Sequence, residues 1–278
     1  MTTFNRVWLV TGASRGIGAK IVAAALAQGY AVVATARNAQ SITERFGTRP
    51  ELLAARLDVT DEAQAREVAR AAIEQFGRID VLVNNAGFGL LGAVEEASAE
   101  EIRRVYETNV FGLLNVTRGV LPFMREARRG HVINISSVGG FQSGPGYGVY
   151  CSTKFAVEGL SEALHAELAP LGIKVTVVEP GYFRTDFLDS HSLVESPATI
   201  DDYAATSGEV RKLAKMYNQQ QPGDPQKLAV AMIKLVQSAN PPLRLALGTD
   251  TLRVIDAKLA AVQAETDAWR ELSASTDF

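Results

Sequence analysis

Tyr150 and Lys154 stand four residues apart in the run Tyr150-Cys151-Ser152-Thr153-Lys154, a spacing that puts both side chains on one face of a helix. A phenol titrates near pH ~10, too high for easy proton exchange at neutrality, and a lysine charge held close to it favours the phenolate. The N-terminal end of a helix would push the same way. Thirteen residues before the tyrosine, Ser137 closes an apolar run and offers a hydroxyl to an oxygen on which negative charge develops. Such a set suits general acid–base chemistry at a carbonyl or alcohol carbon. Taken singly, each residue has an ordinary explanation as a packed aromatic, a solvated lysine or a strand-end hydroxyl.

Upstream, Thr11-Gly12-Ala13-Ser14-Arg15-Gly16-Ile17-Gly18 follows the first β-branched run and opens a helical stretch. There, bare backbone N–H groups and the helix dipole can hold a pyrophosphate, and Gly12, Gly16 and Gly18 let the chain come close, with Ser14, Arg15 and Ile17 between them. The spacing is G-x-x-x-G-x-G, unlike the G-x-G-x-x-G of the common dinucleotide fingerprint, so a tight packing turn is the alternative for this loop alone. Further along, Asn84-Asn85-Ala86-Gly87 follows the fourth apolar run, Asn109 lies in Thr108-Asn109-Val110, and Pro180-Gly181 ends the sixth run.

In this order and on these elements, the motifs resemble those of the short-chain dehydrogenase/reductase family over about residues 6–248. The resemblance implies a Rossmann-type fold, a nicotinamide dinucleotide cofactor, and hydride transfer between that cofactor and a carbonyl or alcohol substrate, Tyr150 exchanging the proton. It also implies roles for single residues. Ser137 would stabilise the substrate oxygen, Asn109 would hold a water linking the lysine to solvent, and Lys154 would bind the nicotinamide ribose besides tuning Tyr150. Asn85, Ala86 and Gly87 would line the adenosine side, and Asp58 with Val59 would meet the adenine. Pro180, Gly181 and Thr185, in the pattern P-G-x-x-x-T, would contact the nicotinamide. Asp58 could equally cap the following helix, and Thr185 could be an ordinary loop hydroxyl.

The second apolar run ends Ala34-Thr35-Ala36-Arg37-Asn38. An NAD enzyme of this architecture places a carboxylate about 20 residues beyond the glycine loop to accept hydrogen bonds from the ribose 2′-hydroxyl. Ala36 stands at that place, and Arg37 beside it offers a planar, permanently charged group suited to a phosphate. Arg15 could close on the same phosphate from the glycine loop. NADP(H) is therefore the expected cofactor.

These residues need a frame that brings them together. Seven short β-branched runs, at residues 7–11, 31–36, 52–57, 81–84, 131–136, 174–179 and 243–247, alternate with helical periodicity, the pattern of βαβ units around a parallel sheet. Several runs are apolar nearly throughout, as strands covered on both faces must be. The expected fold is thus a single α/β domain with a doubly wound parallel sheet flanked by helices. Helix starts are marked by Ser98 with Glu101, by Thr60 before Asp61 and Glu62, and by Asp224-Pro225. Two segments depart from the alternation: an insert at about residues 182–221, expected to act as a substrate lid, and a tail at about 251–278. In the tail Leu252, Ile255, Leu259 and Val262 follow helical spacing and should pack on the body or on a second subunit.

The composition narrows the partners. The chain of 278 residues carries 28 Lys and Arg against 31 Asp and Glu, a formal charge of −3, which disfavours nucleic acid and anionic membranes as general partners. No apolar run reaches the ~18 residues that a membrane span needs, and Met1 to Arg6 has no targeting character. One cysteine, Cys151, cannot form an internal disulfide and agrees with a cytoplasmic location; between two working residues it reads as a small helix residue. His131, His165 and His191 lack metal-ligand spacing, so no metal is expected. Arg125, Arg128 and Arg129 read as cations closing a helix, with docking of an acidic carrier as the alternative. Phe88, Leu90, Phe141, Tyr147, Tyr182 and Phe183 lie beside motif residues and could wall a pocket for a bulky hydrophobic carbonyl compound. A homodimer is the expected assembly. The competing function is an NADP-sensing regulator without turnover, a use this fold permits.

Overall fold

The computed structural model describes residues 4–278. Alternation of side chains along an extended chain divides the core into two halves. In strand β1 (Val7–Val10) Trp8 and Val10 face one side and Leu9 the other, and every residue is buried because helices cover both faces. Strands β2 (Ala31–Ala36), β3 (Leu52–Arg56), β4 (Val81–Asn84), β6 (Gly130–Ile135), β7 (Ile173–Pro180) and β9 (Arg244–Leu247) join β1 in one sheet, in the order β3-β2-β1-β4-β6-β7-β9. All pairings are parallel. The seven expected strands are all present, with ends displaced by a residue or so.

On the Trp8 side, helices α1 (Gly16–Ala27), α2 (Gln40–Phe46) and α8 (Pro225–Gln237) contribute Ile21, Val22, Ile42, Leu228 and Met232 to the core. On the Leu9 side lie α3 (Glu62–Phe76), α5 (Gly112–Ala127) and α6 (Gly148–Leu168), which bring Val68, Ala69, Val120, Met124 and Leu168. Helix α5 can lie close to α3 because Gly119 has no side chain: a Cβ there would sit 3.1 Å from the Ala65 carbonyl oxygen. Strand order runs outward from β1 to β3 and then returns to β4 on the other side of β1. That reversal opens a crevice beyond the carboxyl ends of β1 and β4, where the glycine loop and Asn85-Ala86-Gly87 follow; Arg37, Ser137 and Pro180-Gly181 stand at the same ends of β2, β6 and β7.

Local signals hold at the helix starts, with one correction. Ser98 and Glu101 form a reciprocal capping box on α4 (Ala99–Tyr106), and Asp224 caps α8 by accepting from the Gln226 and Lys227 N–H groups. At α3 the cap is Asp61, not Thr60: its carboxylate accepts from Ala63 N at 2.9 Å and Gln64 N at 3.1 Å. Asp58 does not cap the helix either; it accepts from the backbone and hydroxyl of Thr60.

The insert and the tail depart from the strand–helix alternation, and here the structure adds most. Strand β5 (Gly89–Leu91) pairs in parallel with β8 (Leu193–Glu195) as a small second sheet that joins the insert to the body. Runs of three residues show no readable period. The insert continues through α7 (Glu209–Tyr217). The tail forms α9 (Thr249–Ala268) and α10 (Arg270–Ala274), so its helical spacing was real; its first turns lie on the body, with Thr251 buried and Val254 and Ile255 half-buried, whereas Leu252, Leu259 and Val262 are 52%, 56% and 43% exposed. No helix among the described residues is long and apolar enough to cross a membrane; of the opening segment, Met1 to Thr3 lie outside the described residues.

His131, buried at the start of β6, is bonded through Nε2 to Thr176 Oγ1 at 3.0 Å. Burial, reinforced by the nearby charges of Lys174 and Arg6, brings its imidazole down to about 3. The unfolded chain therefore takes up this proton at a higher pH than the folded one, and stability is lost as pH falls below the ordinary histidine value of ~6.5, until about 3. Replacement by leucine, His131→Leu, should flatten that part of the stability–pH curve in urea titrations run from pH ~7 to ~4; an unchanged slope would show that His131 does not contribute to it.

Candidate active site

Backbone polarity decides where the crevice can bind. Between β1 and α1 the loop turns through Gly12 and Gly16, both at positive φ (63° and 54°), a conformation that L-residues adopt only under strain. Gly18 packs beneath the loop and does not face the crevice: a Cβ there would strike the Gly12 carbonyl and lie 2.6 Å from Asn85 Nδ2. Thr11 locks the loop to the end of β4, its hydroxyl accepting from the N–H groups of Asn85 and Ala86, each at 3.0 Å. Asn85 answers with Nδ2 donating to the carbonyls of Thr11 and Gly12 at 2.9 and 3.1 Å. The sequence reading missed Thr11; a buried hydroxyl at a strand end is too common to stand out.

A cleft of about 1070 Å³ runs from this loop to Tyr150. Its lining includes Gly12, Ser14, Arg15, Gly16 and Ile17 of the loop, Ala36, Arg37 and Asn38 at the end of β2, and Asp58 and Val59 after β3. Asn85, Ala86, Gly87, Ser137, Tyr150, Lys154, Pro180, Gly181 and Thr185 line it as well, with Thr185 beside Gly16 of the loop. Two expected site residues stand outside this lining: Gly18, beneath the loop, and Asn109. Arg15 lines the same cleft as Arg37, and its Nη2 donates to the His191 carbonyl of the insert at 2.9 Å.

Asn109 sits in a π-helical segment, residues 107–111, between α4 and α5, a distortion that redirects side chains and often marks functional ground. Its carboxamide is fully engaged, with Nδ2 donating to Phe88 O at 2.9 Å and Thr153 Oγ1 at 3.1 Å and Oδ1 accepting from Phe88 N at 3.0 Å. The side chain thus ties the β4 exit to α6 at the turn that carries Tyr150 and Lys154.

Ser137 leaves β6 in an extended conformation and caps the short turn 138–140, its hydroxyl accepting from Gly139 N at 3.0 Å. Tyr150 lies between Tyr147 and Phe187, whose ring centroids are 6.4 and 5.8 Å away. Burial pushes its phenol well above the usual tyrosine value, while a hydrogen bond with Ser137 works in the opposite direction. Lys154 Nζ is 5.8 Å from the Tyr150 ring centroid and donates to the Ile135 carbonyl at 2.9 Å. Burial lowers the lysine to about 8, opposed by Glu158. The expected juxtaposition is present, but the balance differs: desolvation of the phenol outweighs the pull towards phenolate, because α6 buries both groups in removing them from water.

Much of the apolar lining comes from the insert, through Tyr182, Phe183, Phe187, Leu188 and Val194, and the body contributes Phe88 and Tyr147. Leu90 and Phe141 are not in it; Leu90 is buried against Val105 and Val149. The base of the insert is held by Glu96, which accepts from Ala93 N at 2.8 Å, Ile200 N at 2.9 Å and Arg211 Nη2 at 2.9 Å. Those donors, Arg211 foremost, bring its carboxyl down to about 2. Arg211 in turn donates to the Ser196 carbonyl at 2.8 Å. Neither residue carried a motif.

The remaining conspicuous groups are structural. Arg128 takes a left-handed conformation at the end of α5 and donates to the Pro170 carbonyl, and Arg129 lies 4.0 Å from Asp80. Cys151 is buried, which pushes its thiol up and away from the reactive thiolate. Among the described residues no group of three His, Cys, Asp or Glu is arranged to hold a metal ion.

The family model described as short chain dehydrogenase matches residues 6–195. A curated relative, 3-ketodihydrosphingosine reductase of Bacteroides thetaiotaomicron, is 42% identical over 245 residues, covering 87% of this chain and 88% of its own. Among solved structures, a short-chain dehydrogenase from Streptomyces avermitilis superposes with a TM-score of 0.89 at 42% identity, covering 98% of this chain and 100% of that one. ElxO with NADP bound superposes with a TM-score of 0.73 at 29% identity, covering 89% and 99%. The chain belongs to the short-chain dehydrogenase/reductase family. It is an oxidoreductase of CH–OH and C=O groups.

Proposed function

We propose that this protein is an NADP(H)-dependent reductase of a bulky, hydrophobic ketone or aldehyde, with Tyr150 as its proton donor. The observation that carries the proposal is one cleft whose lining includes both Arg37 and the trio Ser137, Tyr150 and Lys154. A nicotinamide dinucleotide fits it: the glycine loop offers backbone N–H groups at the start of α1, and the neighbour ElxO holds NADP in the same fold. When bound, the cofactor supplies hydride. The chain's own residues then hold the substrate oxygen and move a proton. Ser137 donates a hydrogen bond to that oxygen as charge develops, Tyr150 passes it the phenolic proton, and the ammonium of Lys154 stabilises the phenolate left behind. A buried phenol keeps its proton at neutral pH, which suits a donor to carbonyl oxygen. An apolar wall of Phe88, Tyr147, Phe187 and Leu188 suits a hydrophobic substrate, as does similarity to a relative named for 3-ketodihydrosphingosine reduction.

Tyr150→Phe removes the hydroxyl while keeping the ring between Tyr147 and Phe187. NADPH binding, followed by nicotinamide fluorescence, should persist, while kcat falls by ~10²-fold or more. Near-normal kcat in this variant would exclude Tyr150 as the donor.

Shortening the insert between the points held by Glu96 and the Phe183–Gly223 bridge should raise KM and change the ranking of carbonyl substrates, with little effect on the Kd for NADPH. An altered Kd with unchanged substrate ranking would be the signature of a cofactor loop instead.

Preference for NADP over NAD rests on Arg37 and on the absence of a carboxylate at Ala36. The ratio of kcat/KM for NADPH to that for NADH should exceed ~10 in the parent, fall in Arg37→Ala, and reverse in Ala36→Asp, since a charge-assisted bond to phosphate contributes about 1.5–3 kcal/mol. A parent indifferent to the 2′-phosphate would overturn this assignment and leave the Tyr150 chemistry intact.

A further inference from the structure

The root of the C-terminal helix meets the start of the insert at a contact that no motif marked. Gly248 turns the chain out of β9 at φ 108°, a conformation open chiefly to glycine. Thr251 is buried and bonds back through Oγ1 to the Leu247 carbonyl at 3.0 Å, so the first turn of α9 is fixed on the sheet. Asp250 lies in that turn, where helix polarity favours a carboxylate. Its Oδ2 accepts from the backbone N–H of Tyr182 at 2.8 Å. Space for the carboxylate is left by two glycines, since a Cβ at Gly181 or at Gly248 would collide with it.

Tyr182 opens the insert directly after Pro180-Gly181, and its backbone is held on both sides. While Asp250 takes the N–H, the Tyr182 carbonyl accepts from Gly223 N at 2.9 Å, and the Gly223 carbonyl accepts from Arg184 N at 2.8 Å. The last two bonds join the ends of the insert to each other; the Asp250 bond joins that neck to the helix that follows β9. The Tyr182 ring lines the cleft and stands edge-on to Tyr217 of α7, with centroids 5.5 Å apart. Val254 is four residues beyond Asp250, hence on the same face of α9, and it lines the cleft too. Helix α9 also packs against the turn 138–140 that follows Ser137. A hydrogen bond to an ionised acceptor is roughly twice as strong as one between neutral groups. Because this one acts on backbone, it bears on the direction in which the insert leaves the sheet.

We propose that Asp250 is a positioning residue of the substrate cleft: by holding the Tyr182 N–H it fixes the neck of the insert to the root of α9, and so sets where the Tyr182 ring stands in the cleft. Val254, one turn further on, is a wall residue that restricts substrate size. The effect on turnover rests on the proposed reduction of a carbonyl compound in this cleft; the bond itself does not.

Two readouts separate the bond from its consequence. Hydrogen exchange of the Tyr182 amide, followed by NMR in the full-length protein, needs no substrate. Asp250→Ala should speed it by about tenfold, and Asp250→Asn, which keeps an acceptor oxygen, should fall between that variant and the parent. In NADPH-driven reduction of acetonaphthone, KM should follow the same order, rising about tenfold in Asp250→Ala, while kcat and the Kd for NADPH move less. Val254→Phe should lower kcat/KM for acetonaphthone at least about fivefold more than for acetone and leave the Tyr182 amide as it is. An unchanged Tyr182 amide in Asp250→Ala, or in Asp250→Asn if the alanine variant does not fold, overturns the proposal whatever turnover shows. So does faster exchange with an unmoved KM, and so does a change confined to kcat or to the Kd for NADPH, which would make Asp250 a support of the cofactor. Equal losses for both ketones in Val254→Phe would remove Val254 from the wall. A parent that binds NADPH but reduces no ketone or aldehyde would overturn the proposed function and the role in turnover together, while the Tyr182 amide would still report the bond.

Discussion

The site depends on one set of hydrogen bonds across the ends of β1 and β4. Thr11 accepts from Asn85 and Ala86, and Asn85 returns bonds to Thr11 and Gly12. Two parallel strands that diverge at a topological switch point leave backbone groups at their ends without ladder partners. Here, side chains satisfy some of those groups and hold the glycine loop against the β4 exit. The glycine loop is thereby fixed relative to Asn85 and Ala86. Asn109 performs the same service between the β4 exit and α6, tying Phe88 to Thr153. Two polar bridges thus connect the residues placed around the cofactor with those placed around the reacting carbon.

Electrostatics at the near end is governed by burial. Tyr150, Lys154, Glu158 and Glu179 are each shifted towards their neutral forms chiefly by removal from water. In a medium of low effective dielectric, each charge that survives must have a named partner. Arg244 lies 3.3 Å from Glu158 and 3.5 Å from Glu179, and Lys154 donates to the Ile135 carbonyl. The insert shows the contrasting solution: Glu96 stays ionised because three donors converge on it. One buried carboxylate is thereby used to anchor a wall, and two others share Arg244.

Much of this was legible in the order of residues. Strand positions followed from β-branched runs, helix starts from Ser98 and Asp224, the glycine loop from its spacing, and the shared face of Tyr150 and Lys154 from helical geometry. These are local properties, dictated by backbone sterics and by neighbours a few residues away, so they can be read along the chain. Arg37 and Ala36 belong with them, because the end of β2 is set by its own apolar run.

Other features were decided by contacts between distant segments. The pairing of β5 with β8 joins residues about a hundred apart in runs too short to show a period. Glu96 meets Arg211, and Glu158 meets Glu179 and Arg244, at separations along which no sequence spacing is constrained. Arg15 turned to His191 for the same kind of reason, and the apolar stripe on α9 is half-buried at Ile255 but exposed at Leu252, Leu259 and Val262. The amino-acid sequence by itself determined which elements form and which chemical groups stand at their ends, through steric and hydrogen-bonding rules that act over one or two turns. Tertiary structure alone decided which of those groups lose water and what faces them when they do. Desolvation and long-range pairing depend on three-dimensional distance, and the charge states of Tyr150, Lys154 and their neighbours depend on both.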